Sequence, residues 1–127
     1  MAWVELVSVL AILQFLIFGL QVARARARYG VKAPATTGND MFERYFRVQM
    51  NTQEQLVMFL PTLWIAASVW RPEWAALIGV VYLLGRLVYS IRYVADPAKR
   101  GPGAMLTSLA NLALLVIALI GSVRHLL

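Results

Sequence analysis

Residues 44–64, RYFRVQMNTQEQLVMFLPTLW, decide how the chain is read. The second half is as apolar as a membrane span, yet Arg47, Gln49, Asn51, Gln53, Glu54 and Gln55 crowd the first. The rest of the chain settles which half governs. With 61% hydrophobic and 14% charged residues among 127, and a mean hydropathy of +0.68, it is too apolar to present an ordinary soluble surface. The stretch is therefore the polar part of a membrane helix, and its hydrogen-bonding groups need partners inside the bundle.

Working outward, four segments are long and apolar enough to be read as spans, because a hydrocarbon core about 30 Å thick needs roughly 20 apolar helical residues. They are about 3–23, 44–70, 73–93 and 104–123. The expected fold is one all-α integral membrane domain over 1–127, a four-transmembrane-helix bundle. The first segment is kept as a span and not a signal peptide, since no positive region precedes it and no A-x-A site follows. Asn39 or Asp40 is expected to cap the second helix, with Glu43 completing a capping box with Asp40. Pro61 is expected to kink that helix, depriving the Val57 carbonyl of its partner. The short break at Arg71-Pro72 predicts an antiparallel hairpin of helices two and three, and DPAKRGPG at 96–103 is a breaker-rich turn into the fourth.

The net charge of +6 invites a nucleic-acid reading, but its distribution favours membrane topology. Arg24, Arg26, Arg28, Lys32, Arg44 and Arg47 lie between spans one and two, and Arg92, Lys99 and Arg100 between three and four. Lys- and Arg-rich loops stay cytoplasmic, which predicts cytoplasmic loops one and three with both termini outside. Short loops and compact length are compatible with a bacterial inner membrane. No cysteine is present and His125 stands alone, so the sequence supplies no thiolate nucleophile, no metal cluster and no Ser-His-Asp set.

At about 100° per residue, Arg47, Asn51, Glu54 and Met58 fall on one stripe, while Gln49 and Gln53 point to the other side. Tyr82, Arg86, Tyr89 and Tyr93 repeat the same spacing on helix three. One account is interhelical glue, with amides bonding across helices and Glu54 paired to Arg86. The other is a ligand site. Three cations, two phenols, two amides and a carboxylate near one membrane face suit an anionic ligand that carries carboxylates and an amine. Glu54 would take the amine, the arginines the carboxylates, and Arg100 or a tyrosine a developing anion.

These residues resemble the membrane-associated proteins in eicosanoid and glutathione metabolism, a family that includes microsomal glutathione transferases and the cysteinyl-leukotriene synthase. The resemblance covers nearly the whole chain: TTG, then FERYFRVQMNTQE, then LPTLWIAA, then YLLGRLVYSIRY, in that order. It rests most on Arg-x-Gln-x-Asn-x-x-Glu at 47–54 and Arg-x-x-Tyr-x-x-x-Tyr at 86–93. It implies a homotrimer that binds glutathione as co-substrate between subunits near the cytoplasmic side. Arg47, Asn51, Glu54, Arg86, Tyr89 and Tyr93 would come from one subunit, and Arg26 and Gln49 from the next. Arg100 occupies the position of the arginine that stabilises the glutathione thiolate. The implied activity is detoxifying transfer of glutathione to a lipophilic electrophile, or reduction of a lipid hydroperoxide.

Three positions depart from the family pattern. Gln55 replaces a tyrosine, Ala27 replaces the second arginine of a pair, and Asp96-Pro97 is expected to end helix three early and leave Arg100 on a loop away from the sulfur. Two alternatives come from other classes. One is a non-catalytic lipid- or glutathione-binding scaffold. The other is a small four-helix multidrug exporter, in which Glu54 alone would matter and Arg47 and Arg86 would repel cationic cargo.

Overall fold

A computed structural model describes residues 1–127 as four helices without strands. They are α1 (Ala2–Tyr29), α2 (Asp40–Val69), α3 (Pro72–Ala95) and α4 (Gly101–Leu126), with one 3-10 turn, Pro97–Lys99, before the last. Three segments, Ala2–Tyr29, Pro72–Ala95 and Pro97–Leu126, are long and apolar enough to cross a membrane. α2 has the length at 30 residues, but its amides and charges keep it below that hydropathy. The chain is an integral membrane protein.

The termini of α2 follow from local chemistry and correct one expectation. Asn39 is the N-cap, its side-chain oxygen accepting from the Phe42 amide at 3.0 Å. Asp40 thus becomes the first helical residue and pairs with Arg44 at 2.9 Å, and the expected Asp40–Glu43 box does not form. Glu43 reaches back instead to accept from the Gly38 amide at 3.3 Å. The helix runs on through Pro61, and the Thr62 hydroxyl donates to the carbonyls of Met58 and Phe59 at 2.6 and 3.1 Å. α1 outlasts the expected span by two turns, carries Arg24, Arg26 and Arg28 on helix, and ends at Gly30, whose φ of 69° gives the left-handed cap.

α2 and α3 form the expected hairpin and the centre of the bundle. α1 packs on one side of the pair and α4 on the other, with α3·α4 the most extensive seam. The core runs through Val4, Val7 and Ala11, then Phe59, Leu63 and Ala66, then Ala75, Ala76 and Tyr82, and ends on Ala110, Leu114 and Ala118. Small residues set how closely the helices approach, as expected where lipid removes most of the hydrophobic drive for association. At Gly85 an added Cβ would fall 2.8 Å from the Thr107 amide nitrogen, and at Gly103 it would collide with the Tyr89 backbone. Both glycines hold α3 against α4 beside the site described next. Only 31 residues of 127 are buried, and rows of exposed Leu, Ile and Val on α1 and α4 turn the apolar surface outward.

Candidate functional site: an arginine-lined cleft between three helices

The stripes on α2 and α3 meet. Arg47, Asn51 and Gln55 of α2, Arg86, Tyr89 and Tyr93 of α3, and Arg100, Ala104, Thr107 and Ser108 at the start of α4 line a cleft of about 440 Å³. That volume lies within the range of about 300–1,000 Å³ usual for small-molecule pockets. The helix spacing that the sequence suggested brings these faces together, and Gly85 and Gly103 let α4 close the third wall.

Arg86 is the centre of the site. Its side chain is 1% exposed, yet no carboxylate pairs with it. One guanidinium nitrogen donates to Asn51 Oδ1 at 2.8 Å and to Thr52 Oγ1 at 3.1 Å, and the other to Thr107 Oγ1 at 3.5 Å. The guanidinium carbon sits 4.3 Å from the centre of the Tyr89 ring, and Tyr89 stacks in turn on Tyr93 at 5.5 Å. Nε has no partner. Burying a cation among neutral groups costs several kcal/mol, and charge-assisted bonds with a cation–π contact offset part of that. An anion in the cleft would complete the balance.

Glu54 corrects the glue account. It does not reach Arg86. It pairs with Arg47 at 3.1 Å, with side chains 58% and 49% exposed, and opens onto an outer groove with Met50, Gln53 and Val57. Arg47 lines both this groove and the cleft, which leaves Glu54 at the rim. Gln55 faces the cleft and accepts from Asn111 Nδ2 at 2.9 Å, so the position that departs from the family pattern is tied to α4.

Arg100 also departs from expectation. α3 does end at Asp96, whose side chain accepts from the Ala98 amide, but the following 3-10 turn is short and ordered. Arg100 emerges as the N-cap residue of α4 and lines the cleft, with its guanidinium donating to the Pro97 carbonyl at 2.9 Å. Arg26 and Gln49 lie outside the cleft. Arg26 donates to the Ala35 carbonyl at 2.6 Å over the Phe42 ring, and Gln49 lies against Gly19 of α1.

Residues that helical spacing alone does not single out complete the site. Thr52 and Thr107 hold Arg86, and Ser108 and Ala104 line the wall. The available signal is the run of polar residues Thr107, Ser108 and Asn111 in an otherwise apolar fourth span. Arg44, in sequence only a topology signal, donates to the Val94 and Ala95 carbonyls at 2.9 and 3.2 Å, closing the free C-terminal carbonyls of α3.

The sequence model of the MAPEG family matches residues 4–120. An uncharacterized protein of Synechocystis sp. is 48% identical over 118 residues, covering 93% of this chain and 86% of its own. Human microsomal glutathione S-transferase 2 is 42% identical over 111 residues, 87% and 75%. Leukotriene C4 synthase of Cavia porcellus is 39% identical over 121 residues, 95% and 81%. With that coverage by the family and its relatives, and with Arg47, Asn51, Arg86, Tyr89 and Tyr93 gathered in one cleft, the chain belongs to the MAPEG family.

Proposed function

We propose that the chain is a membrane glutathione S-transferase-like enzyme. It activates glutathione as the thiolate for attack on a lipophilic electrophile or for reduction of a lipid hydroperoxide. What supports this above all is the convergence of Arg47, Asn51, Arg86, Tyr89, Tyr93 and Arg100 on one cleft, where a buried cation lacks a counter-ion. Similarity to microsomal glutathione S-transferase 2 supports glutathione as the co-substrate.

The residues fit that tripeptide. Arg86 and Arg47 take its carboxylates, Asn51 an amide, and Glu54 its amine from the rim. Arg26 and Gln49 of a neighbouring copy close the site in a homotrimer, since both point away from their own cleft. Arg100 meets the sulfur. A free thiol has a pKa of about 8.5 and is mostly protonated at neutral pH, and each unit of lowering needs about 1.4 kcal/mol of preference for the anion. One poorly hydrated guanidinium can supply that. α2 is the fourth span, its polar face turned to the cleft. The arginine-rich end with loops one and three is cytoplasmic, both termini lie outside, and the setting is a bacterial inner membrane. Ala27 leaves no second arginine beside Arg26, so the reading stops short of leukotriene synthesis.

A non-catalytic binding or scaffold role is the second reading, favoured by one observation: the Arg100 guanidinium is exposed and bonded to its own turn. Cation export finds no such support, because Glu54 is already paired to Arg47. Ultraviolet difference absorbance of the thiolate, recorded as glutathione is added to purified protein, separates the two. A saturable signal near neutral pH that disappears in Arg100→Ala, with glutathione affinity largely kept, is the expected result. Absence of a thiolate signal at saturating glutathione, or equal loss of affinity and rate in Arg100→Ala, removes the assigned role.

A further inference from the structure

A second cleft, of about 200 Å³, opens where the end of α1 meets the start of α2. Gln21, Arg24, Ala25, Arg28, Tyr29 and Tyr45 line it, and none of them lines the cleft of Arg86. Arg24 and Arg28 differ from Arg26, Arg44 and Arg47, the neighbouring arginines of the same loop region. Arg26 and Arg44 donate to carbonyls and Arg47 pairs with Glu54, but neither Arg24 nor Arg28 bonds to any protein acceptor. Arg28 only lies over the Tyr29 ring, at 5.4 Å. Two guanidiniums at i and i+4 share one helix face and repel each other unless an anion sits between them.

Depth indicates the source of that anion. The run Leu6–Ala23 carries no charge, and counted from Trp3 it is long enough to cross a hydrocarbon core of about 30 Å. Arg24 is the first charged residue after it, so the cleft lies at headgroup level. Arg24 and Arg28 are each two residues from Arg26, about 200° around the helix, and so face away from the side that Arg26 presents. The helix dipole and topology account for basic residues at this end of α1. Neither requires a cavity walled by an amide and two phenols from two helices.

We infer that this cleft binds the phosphate of an anionic phospholipid headgroup, with the guanidiniums of Arg24 and Arg28 on its oxygens and Gln21, Tyr29 and Tyr45 on the adjoining polar groups. Planar guanidiniums match phosphate geometry, and two unpaired cations disfavour a headgroup that carries its own quaternary ammonium. The cleft therefore selects phosphatidylglycerol over phosphatidylcholine.

The test is native mass spectrometry of the full detergent-solubilised chain with equimolar phosphatidylglycerol and phosphatidylcholine. Wild type retains the anionic lipid with a preference of about thirtyfold, the value expected for two arginines at an anionic surface. Arg24→Gln/Arg28→Gln loses the preference, while Arg92→Gln/Lys99→Gln, which removes the same charge from the same end outside the cleft, keeps it. Should the first double variant fail to fold, the single variants carry the test, each losing about fivefold. No preference in wild type, or equal loss in the Arg92/Lys99 control, overturns the assignment. Displacement of the lipid by inorganic phosphate at constant ionic strength also overturns it, because the cleft then takes free phosphate.

Discussion

The two ends of the bundle solve opposite problems with the same four helices. Away from the arginine-rich end the helices are pressed together. Phe59 and Tyr82 stack face to face at 3.7 Å with planes 6° apart, Ala66, Ala67, Ala75, Ala76 and Ala118 close the gaps, and Trp64 donates to Ser8 across α1 and α2 at 2.9 Å. Clefts open at both ends, but those of the opposite end are walled mostly by apolar side chains, whereas the two at the arginine-rich end are lined by arginines, phenols and amides. Beside the larger one, polar atoms remain buried and unpaired, Arg86 Nε and Asn111 Oδ1 among them. One end spends its contacts on packing and the other leaves hydrogen-bonding capacity open. The difference teaches that the polar residues of α2 do more than join helices: Asn51, Thr52 and Gln55 bond across to α3 and α4 beside a cleft that stays open.

The strongest way to break this contrast is to damage the packed end. Phe59→Ala removes a fully buried ring stacked on Tyr82 and should cost about 3 kcal/mol of stability, mostly as cavity and lost dispersion. Thermal unfolding in detergent reads the cost, and calorimetric titration of the folded fraction should show glutathione affinity within about twofold of wild type. A fall in affinity that tracks the loss of stability would mean that the ends are one cooperative unit.

Next in size is Arg86→Gln, where the contrast predicts the reverse pattern. Glutathione affinity should fall about tenfold to a hundredfold, the value of one or two charge-assisted bonds. Stability should change little, because removing a buried cation without a counter-ion relieves a desolvation cost while the amide keeps a donor for Asn51. Severe destabilisation with unchanged affinity would return Arg86 to the packing half of the molecule.

Much of this is legible in the sequence, for reasons that separate the two ends. Helical periodicity is a local property, so residue spacing alone draws the stripes Arg47–Asn51–Glu54 and Tyr82–Arg86–Tyr89–Tyr93, and Arg47, Asn51, Arg86, Tyr89 and Tyr93 do share one cleft. Which partner satisfies which group depends on helix rotation by a few tens of degrees, and periodicity does not carry that. Hence spacing suggests a Glu54–Arg86 pair where Glu54 meets Arg47, and it does not reveal the neutral cradle of Thr52 and Thr107. Spacing leaves Asn39 and Asp40 both open as the α2 cap because both are competent, and the entry of the chain selects Asn39, which is why the Asp40–Glu43 box does not form. Arg100 reaches the cleft because a 3-10 turn of three residues, not a loose loop, joins α3 to α4.

The smallest expected effect is the most direct test of the glue account. Glu54 and Arg47 form an ion pair that is about half exposed, so solvent screens it and holding two long side chains in place costs entropy. Glu54→Gln should therefore change stability by less than about 1 kcal/mol, and the change should shrink further as salt is raised. Glutathione affinity should nevertheless fall severalfold, since the rim carboxylate, paired to the cleft residue Arg47, is the group assigned to the ligand's amine. Asn51→Ala is the companion measurement. It removes an acceptor of Arg86 from inside the cleft, and affinity should drop by about tenfold. If both variants stay folded and bind glutathione as wild type does, the stripe on α2 serves only to join helices, and the contrast between the two ends of the bundle has no functional content.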